Sequence, residues 1–466
     1  MNWRMVVIPA ALLGLAACGT TREDLRLANR SCRNGNPDKV EALAACNLVL
    51  ERSPTAEDRA RYLAARGFAY TRTGRYAEGI ADLTAALELA PDNTAARLER
   101  AKAELQVGQE AAARADLDRI IEEAPWTFDA LMARARLQLQ AGDAQAAISD
   151  LTSALQIRQQ RGDVLTLRAA AYRQANDPKA AVADLSEAIR LKPDSPTLYL
   201  NRANALLAAG DDAAALADSQ TAIGLDPQLA DAYSMSGYIR LRQGDFAGAI
   251  ADYDRLVALQ PNVAEAYRKR AYARYKAGEL DRAVADYTRA IELDPNLAAA
   301  YAGRGDARMK QDDAAAALTD FDAALRLAPD NALFLYGRGG ALVRLGRLDA
   351  AIADYDQAIR LRPDLAAAFY GRGKAYLVLE KPRQARADFN EALRLDPNYA
   401  DAYLAIGNSH RDTGHNAEAV AAYRKYLEFP GDSPMRAVAE RFIEILSAEA
   451  QPSPQAAKPI TNLYAK

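Results

Sequence analysis

The sequence predicts an all-α fold in which about eleven helical hairpins stack into a solenoid. Aspartate recurs every 34 residues at ten positions, and a proline follows nine residues after most of them. A period of this length is typical of helix-turn-helix repeats, in which each unit buries its apolar face only against its neighbours. The aspartates are Asp82, Asp116, Asp150, Asp184, Asp218, Asp252, Asp286, Asp320, Asp354 and Asp388.

Composition restricts the function. The 466 residues carry a net charge of −3, so nucleic acid is not an expected partner. His410 and His415 are the only two histidines. Being five positions apart, they are expected on different helix faces, which argues against a shared metal ion. Without a nucleophile constellation or a glycine-rich phosphate loop, the sequence predicts no enzyme, no metal site and no cofactor.

The N-terminus has the pattern of an export signal. Arg4 precedes an apolar run of about ten residues, which is too short to span a bilayer. The run ends in Leu15-Ala16-Ala17-Cys18, which closely resembles the bacterial lipobox. That resemblance implies a signal peptide over 1–17 and a lipid-bearing Cys18 as the mature N-terminus, with Gly19 matching the outer-membrane default of Gram-negative lipoproteins. The alternative is an ordinary signal peptide that contains a cysteine.

Two cysteines remain once Cys18 is assigned to lipid. Cys32 and Cys46 flank a turn-forming segment, with helical patterns on both sides. An exported compartment permits disulfides, and an even remainder is what one bridge needs. The sequence therefore predicts a Cys32–Cys46 disulfide across a degenerate helical hairpin within 18–59, the alternative being two small core residues.

The repeat unit has a consistent pattern, seen best from Ala298 to Asn331. Its first helix places a small residue, such as Gly305, where two helix backbones must approach closely. A turn follows, often with glycine at a helix end that needs positive φ. The second helix presents alanine and then an aromatic residue, such as Phe321, and proline ends the unit.

This pattern resembles the tetratricopeptide repeat and covers about four-fifths of the chain. The resemblance implies a right-handed superhelix over 60–433. Ser433-Pro434 then begins a helix expected to cap the last repeat over 434–449. The Pro, Gln and Ala content of 450–466 predicts a disordered tail.

An arginine lies sixteen residues before most of the aspartates, with Ser236 as the exception. The two positions fall on opposite helices of a hairpin, so a ladder of ion pairs is expected. One interpretation is a charged stripe that captures a ligand, and the favoured one is a joint between repeats. The arginines are Arg66, Arg100, Arg134, Arg168, Arg202, Arg270, Arg304, Arg338 and Arg372.

The tetratricopeptide resemblance also implies where a ligand would bind. The family lines its concave surface with set positions of the first helix, which are rich in tyrosine and cations in the later units. Such side chains suit extended peptide, although tyrosine could simply fill solvent-facing positions. The predicted partner-binding residues are Tyr238, Arg268, Tyr272, Tyr275, Lys276, Lys310, Tyr336, Arg344, Tyr370 and Lys374. The early units have neither aromatic nor charged residues at the fifth position, which is occupied by Ala64, Leu98, Met132, Thr166 and Leu200.

Two specialised uses of the family are not expected here. Asn204 is isolated, with Leu200 at its fifth position, so the Lys/Asn clamp of chaperone adaptors is absent. No residues are left over for a glycosyltransferase domain. The sequence therefore predicts a non-catalytic scaffold, held to the membrane by its N-terminal lipid, facing the periplasm and binding proteins or extended peptides. The alternatives are a subunit of an export or outer-membrane assembly apparatus for pili or polysaccharide, and a cytoplasmic adaptor.

Overall fold

The computed structural model describes residues 22–34, 40–52, 55–431 and 433–449. Within these ranges it contains 25 helices and no strand, so the predicted all-α class is confirmed. The predicted signal peptide, Cys18 and the predicted tail lie outside the described residues. No helix in the described part of the chain is both long and apolar enough to cross a bilayer.

The chain forms two compact units that divide between Met235 and Ser236. The first contains α1 (Arg22–Asn34), α2 (Val40–Glu51), α3 (Ala56–Arg72), α4 (Tyr76–Leu89), α5 (Thr94–Gln106), α6 (Glu110–Glu123), α7 (Phe128–Gln140), α8 (Ala144–Ile157), α9 (Gly162–Gln174), α10 (Pro178–Leu191), α11 (Pro196–Ala208) and α12 (Asp212–Leu225). The boundary falls inside α13 (Ala230–Gln243). The second unit contains α14 (Phe246–Leu259), α15 (Ala264–Ala277), α16 (Leu280–Leu293), α17 (Ala298–Lys310), α18 (Ala314–Leu327), α19 (Ala332–Arg344), α20 (Leu348–Leu361), α21 (Ala366–Val378), α22 (Pro382–Leu395), α23 (Ala400–Asp412), α24 (Asn416–Leu427) and α25 (Pro434–Glu449).

Within each unit, every repeat is a pair of helices joined by a tight turn. The first helix of a repeat contacts its own second helix and also the first helix of the next repeat, as α17 does with α18 and α19. Turn glycines such as Gly278 and Gly346 have φ of 82° and 72°, as the sequence predicted. Several second helices then begin with an aspartate that accepts a backbone N–H, as Asp313 does from Ala316.

In the second unit, each second helix places one aromatic ring in the core of the repeats, whereas most second helices of the first unit place a leucine there. Phe321 of α18 lies against Gly305 of its own repeat and Gly337 of the next. A Cβ atom at Gly337 would lie 2.4 Å from a ring carbon of Phe321, so only glycine fits there. Tyr355 is held in the same way between Gly339 and Gly371. The predicted small residues Gly305 and Gly339 make room for the ring within its own repeat, and Gly337 and Gly371, which were not predicted, let the same ring join the next repeat.

The N-terminal hairpin, α1 and α2, has a small core of its own. The Sγ atoms of Cys32 and Cys46 lie 2.10 Å apart and their Cα atoms 4.8 Å apart, which is the geometry of the predicted disulfide. Both cysteines are buried with Val49 and with Tyr62 of α3. At the other end of the chain, Ala439 and Leu446 of α25 pack with Tyr423 of α24, so this helix covers the last repeat.

Candidate functional site

The arginine and aspartate series form nine ion pairs, each joining the two helices of one hairpin. In every pair the guanidinium donates from Nε to one carboxylate oxygen and from Nη2 to the other, over 2.6–3.0 Å. The ten aspartates are only 2–8% exposed. Because the carboxylates are buried and already paired, they are not available to a ligand.

The remaining nitrogen of each arginine reaches the preceding repeat. In eight pairs Nη1 donates over 2.5–3.1 Å to an oxygen sixteen residues earlier, as Arg304 does to Thr288 and Arg338 does to Asp322. One arginine thus holds three helices, which agrees with the predicted joint between repeats. These acceptors were not predicted, although their fixed spacing from the arginines is visible in the sequence.

The exceptional repeat uses different groups around the same carboxylate. Ser236 Oγ donates to Asp252 over 2.6 Å, and Arg240 Nη1 donates to it over 3.0 Å. Burial raises the pKa of Asp252, while these two donors oppose that rise. This hairpin therefore keeps the buried carboxylate, but no arginine donates to both of its oxygens.

Six of the predicted binding residues form a group that we call the tyrosine–lysine surface. It lies on the first helices α15 to α21 of the second unit and comprises Tyr272, Tyr275, Lys310, Tyr336, Tyr370 and Lys374. At one end, Tyr272 and Tyr275 stack with centroids 6.4 Å apart. The Lys310 ammonium lies 4.1 Å from the Tyr275 centroid, within range of a cation–π interaction.

The other end of this surface is centred on Tyr370 of α21. Its ring lies 5.6 Å from the Lys374 ammonium and 5.0 Å from the ring of Tyr399. Tyr336 lies between the two ends, and its phenol affects the pKa of both Tyr275 and Tyr399. Burial raises the pKa of Tyr399 to about 12, so its hydroxyl remains a neutral hydrogen-bonding group. Tyr399 was not among the predicted residues, because it precedes a helix instead of lying inside one.

Asp306 of α17 is an acid at the centre of this surface, and it too was absent from the predicted residues. It occupies the same helix position as Tyr272 and Lys374, which is the signal that could have identified it. The residue is exposed, although its carboxylate lies among atoms of the neighbouring helices. The resulting desolvation raises the pKa of Asp306 to about 6, and Lys310 opposes the shift. An acid that titrates near neutrality therefore lies beside the lysine.

Four predicted binding residues stand apart from this group. Arg268 donates over 2.7 and 2.6 Å to both oxygens of Glu265, so its charge is already neutralised. Arg344 forms an ion pair with Asp312 in the preceding repeat's turn. Tyr238 and Lys276 are exposed, and neither contacts the tyrosine–lysine surface through a ring or ion pair.

The positions of the two histidines contradict the prediction that they lie on different faces of one helix. His410 lies in the last turn of α23 and His415 precedes α24, and the turn between these helices brings their rings to 5.7 Å. The expectation of different helix faces was wrong because the two residues do not share a helix. Across the described ranges, no group of three or more His, Cys, Asp or Glu side chains has the arrangement of a metal site.

Family models match the chain repeatedly. The model described as TPR repeat matches 169–210 and 339–379. Of two models described as tetratricopeptide repeat, one matches 235–298 and 370–434, and the other matches 70–137. Together these matches cover more than half of the sequence. The chain is a tetratricopeptide repeat protein. Such repeats are scaffolds suited to binding proteins or peptides.

Solved structures similar to this tetratricopeptide repeat protein include yeast Tom70, with 19% identity, a TM-score of 0.44, and coverage of 92% of this chain and 95% of that one. A tetratricopeptide repeat protein from Parabacteroides merdae has 18% identity and a TM-score of 0.46, over 54% and 98% of the chains. YrrB, described as having an unusual peptide-binding site, has 24% identity and a TM-score of 0.33, over 41% and 97%. No curated protein matches this sequence significantly.

Proposed function

We propose that this protein is a non-catalytic scaffold that binds an extended segment of a partner protein on the tyrosine–lysine surface. The observation that carries the proposal is the run of aromatic rings and lysines across four successive first helices, α15, α17, α19 and α21. Aromatic rings bind partner side chains at small entropic cost and present hydroxyl groups at their edges. Lys310 and Lys374 are exposed above two of these rings and favour an acidic segment.

The length of the surface fits an extended chain. Helices packed side by side are about 8–10 Å apart, so four of them span roughly 25–30 Å. An extended chain advances about 3.3 Å per residue, which gives a segment of about eight or nine residues. Its acidic groups would lie near Lys310 and Lys374, and apolar or aromatic groups near Tyr275 and Tyr370.

Site-directed crosslinking in cells tests this binding mode. A photoreactive amino acid at Tyr272 should give a crosslinked partner, and Lys310→Glu with Lys374→Glu should reduce its yield about tenfold or more. Lys179→Glu with Lys192→Glu is the matched control, because it makes the same charge change on exposed lysines of the first unit. An equal loss in both double variants, or in neither, would contradict a role for the tyrosine–lysine surface.

We further propose that the scaffold is exported and anchored through a lipid on Cys18, facing the periplasm of a Gram-negative cell from the outer membrane. The lipobox-like Leu15-Ala16-Ala17-Cys18 supports this location. The disulfide geometry of Cys32 and Cys46 supports an oxidising compartment.

Fractionation tests the anchor separately from binding. Cys18→Ala should release the protein from the membrane fraction and abolish incorporation of labelled palmitate. Wild-type protein denatured and alkylated without a reductant should leave Cys32 and Cys46 unmodified in mass spectra. Unchanged fractionation of Cys18→Ala, together with alkylation of both cysteines, would instead favour a cytoplasmic adaptor.

A further inference from the structure

The first helix of the fold, α1, has two contrasting faces. Ala28 and Cys32 are buried in the core that α1 shares with α2 and α3. Arg26, Leu27 and Arg30 are exposed, and Leu27 is exposed by 60%. A helix turns by about 100° per residue, so Arg30 points directly away from that core. The outer face of α1 therefore combines arginines with a large apolar side chain.

This outer face is cationic. The helix contains four arginines against one glutamate and one aspartate, which leaves a net charge of +2 in a chain whose total is −3. Arg26 and Arg30 are one helical turn apart, and the other two arginines continue the row four residues before and three after. Neither Arg26 nor Arg30 forms an ion pair or hydrogen bond with any side chain that the structure describes. The row therefore attracts anions.

The place of α1 in the chain puts this row next to the proposed lipid anchor. Three residues, 19–21, separate Cys18 from the start of the helix at Arg22. An extended chain spans at most about 3.6 Å per residue, so α1 begins within about 15 Å of Cys18. With the lipid of Cys18 in the bilayer, α1 begins at the membrane surface.

We propose that α1 is a membrane-contact helix, which lies along the bilayer and binds the phosphate groups of anionic phospholipids through its row of arginines. The proposal rests on the proposed lipid anchor for the nearness of the membrane. Guanidinium groups suit phosphate because they donate two parallel hydrogen bonds to its oxygens. Leu27 adds apolar contact with the upper part of the acyl chains.

A contact along α1 orients the repeats that follow it. The disulfide joins Cys32 of α1 to Cys46 of α2, and Val49 of α2 and Tyr62 of α3 complete their core. A lipid on Cys18 alone holds the protein at one point and leaves its direction open. A helix that lies along the bilayer and is packed against α2 and α3 sets the direction in which the first repeats leave the membrane.

Flotation with lipid vesicles tests the proposal without the anchor. Residues 19–466 keep the 25 helices of the described chain but lack Cys18. This protein should float with vesicles of equal parts phosphatidylcholine and phosphatidylglycerol, and not with pure phosphatidylcholine. Sodium chloride at about 1 M should release it, because salt screens the charges. Equal binding to both kinds of vesicle, or to neither, would overturn the proposal, whatever Cys18→Ala shows in fractionation.

Two double variants of the same protein locate the contact. Arg26→Glu with Arg30→Glu should weaken binding to the phosphatidylglycerol vesicles at least about tenfold. Arg114→Glu with Arg326→Glu is the matched control, because it makes the same charge change at exposed arginines of α6 and α18. Circular dichroism confirms that each variant keeps its helices. Equal affinity of the two double variants would overturn the assignment to α1.

A fluorescent label tests which face meets the bilayer. Because Cys32 and Cys46 form a disulfide, a thiol label attaches to an introduced cysteine. A polarity-sensitive fluorophore on Leu27→Cys should shift its emission to shorter wavelength when phosphatidylglycerol vesicles are added. The same label on Glu88→Cys, at an exposed position of α4, should not shift. Binding without a shift at Leu27→Cys would show that another surface meets the membrane, and would overturn the proposal.

Discussion

Ser236 donates a 2.6 Å hydrogen bond to Asp252 at the helix position where nine other repeats place an arginine. The carboxylate stays at its fixed place in the hairpin although its bidentate partner is gone. Asp252 therefore gains fewer charge-assisted hydrogen bonds than Asp320, which accepts from Arg304 over 2.7 Å and from Arg308 over 2.8 Å. The contribution of this aspartate to the stability of the fold should therefore differ from repeat to repeat.

The first prediction compares these two aspartates. Asp320→Asn should destabilise the second unit by about 3 kcal/mol, because a buried carboxylate is lost and two partly buried guanidiniums lose their counter-charge. Asp252→Asn should cost about 1 kcal/mol, because burial already disfavours its charged form. Thermal unfolding followed by circular dichroism measures both. Equal shifts of the melting temperature would show that the ion pair adds nothing beyond the hydrogen bonds.

The joint between repeats shows which contacts can be predicted from the sequence alone and which cannot. The spacing of Arg304 from Asp320 was enough to predict an ion pair, because a fixed period places both residues at one level of a hairpin. Its second contact, with Thr288, was missed because it crosses to the preceding repeat and joins different residue types along the chain. Ion pairs that depend on local side-chain geometry were still harder to predict from the sequence. Nothing in the period distinguishes Arg268, which Glu265 neutralises, from an arginine that faces a ligand.

The candidate sites show the same limit. The first-helix positions predicted that Tyr272, Tyr275 and Lys310 share a face, and the structure brings them together. The contacts of Arg158 and Arg161 with the Phe128 ring were not predicted, because the chain turns between the two arginines at Gln160, a non-glycine residue with a φ of 56°. A periodic sequence specifies equivalent positions well, whereas contacts at an irregular turn follow no repeat position.

The second prediction concerns the pH dependence of stability at Glu104 of α5. This side chain is 5% exposed, and its Oε2 has no hydrogen-bond partner in the described structure. Burial, reinforced by nearby Asp116, raises its pKa to about 7, against 4.5 for an unperturbed glutamate. The folded protein thus keeps a proton that the unfolded chain has lost. Stability should fall as pH rises from about 4.5 to about 7, by at most about 3 kcal/mol from this group.

Glu104→Gln isolates that contribution. Glutamine cannot ionise, so this substitution should raise the melting temperature at about pH 8 and change it little at about pH 5. Glu88→Gln on α4 is a suitable control, because that side chain is exposed. A stabilisation that is the same at both pH values would mean that Glu104 is not protonated in the folded protein near neutrality.

The third prediction tests how Phe321 joins two repeats. Gly337→Ala places a Cβ atom within 2.4 Å of the Phe321 ring, so α19 must move or the ring must leave its position. A loss of about 1–3 kcal/mol is expected from this overpacking. Gly340→Ala is the matched control, since its Cβ would meet its nearest atoms only at 4.0 Å. Chemical denaturation of the two variants measures the difference, and Phe321→Leu in the Gly337→Ala background should recover part of it.

The fourth prediction links the pKa of Asp306 to partner binding at the tyrosine–lysine surface. Below about pH 6 Asp306 becomes neutral, and Lys310 is then free to attract an acidic segment. Burial raises the pKa values of Tyr275 and Tyr336, so these phenols stay neutral and do not titrate in this range. Crosslinking from Tyr272 should therefore increase several-fold as the pH falls from about 8 to about 5.

Asp306→Asn should remove this pH dependence and hold the yield near its acidic value throughout. Asp349→Asn, at an exposed acid in the first turn of α20, should keep the wild-type profile. If Asp306→Asn retains the rise at acid pH, the titrating group lies on the partner. If crosslinking instead weakens as Asp306 becomes neutral, the bound segment is basic, and the electrostatic part of the proposed binding mode is wrong because Asp306, and not Lys310, attracts it.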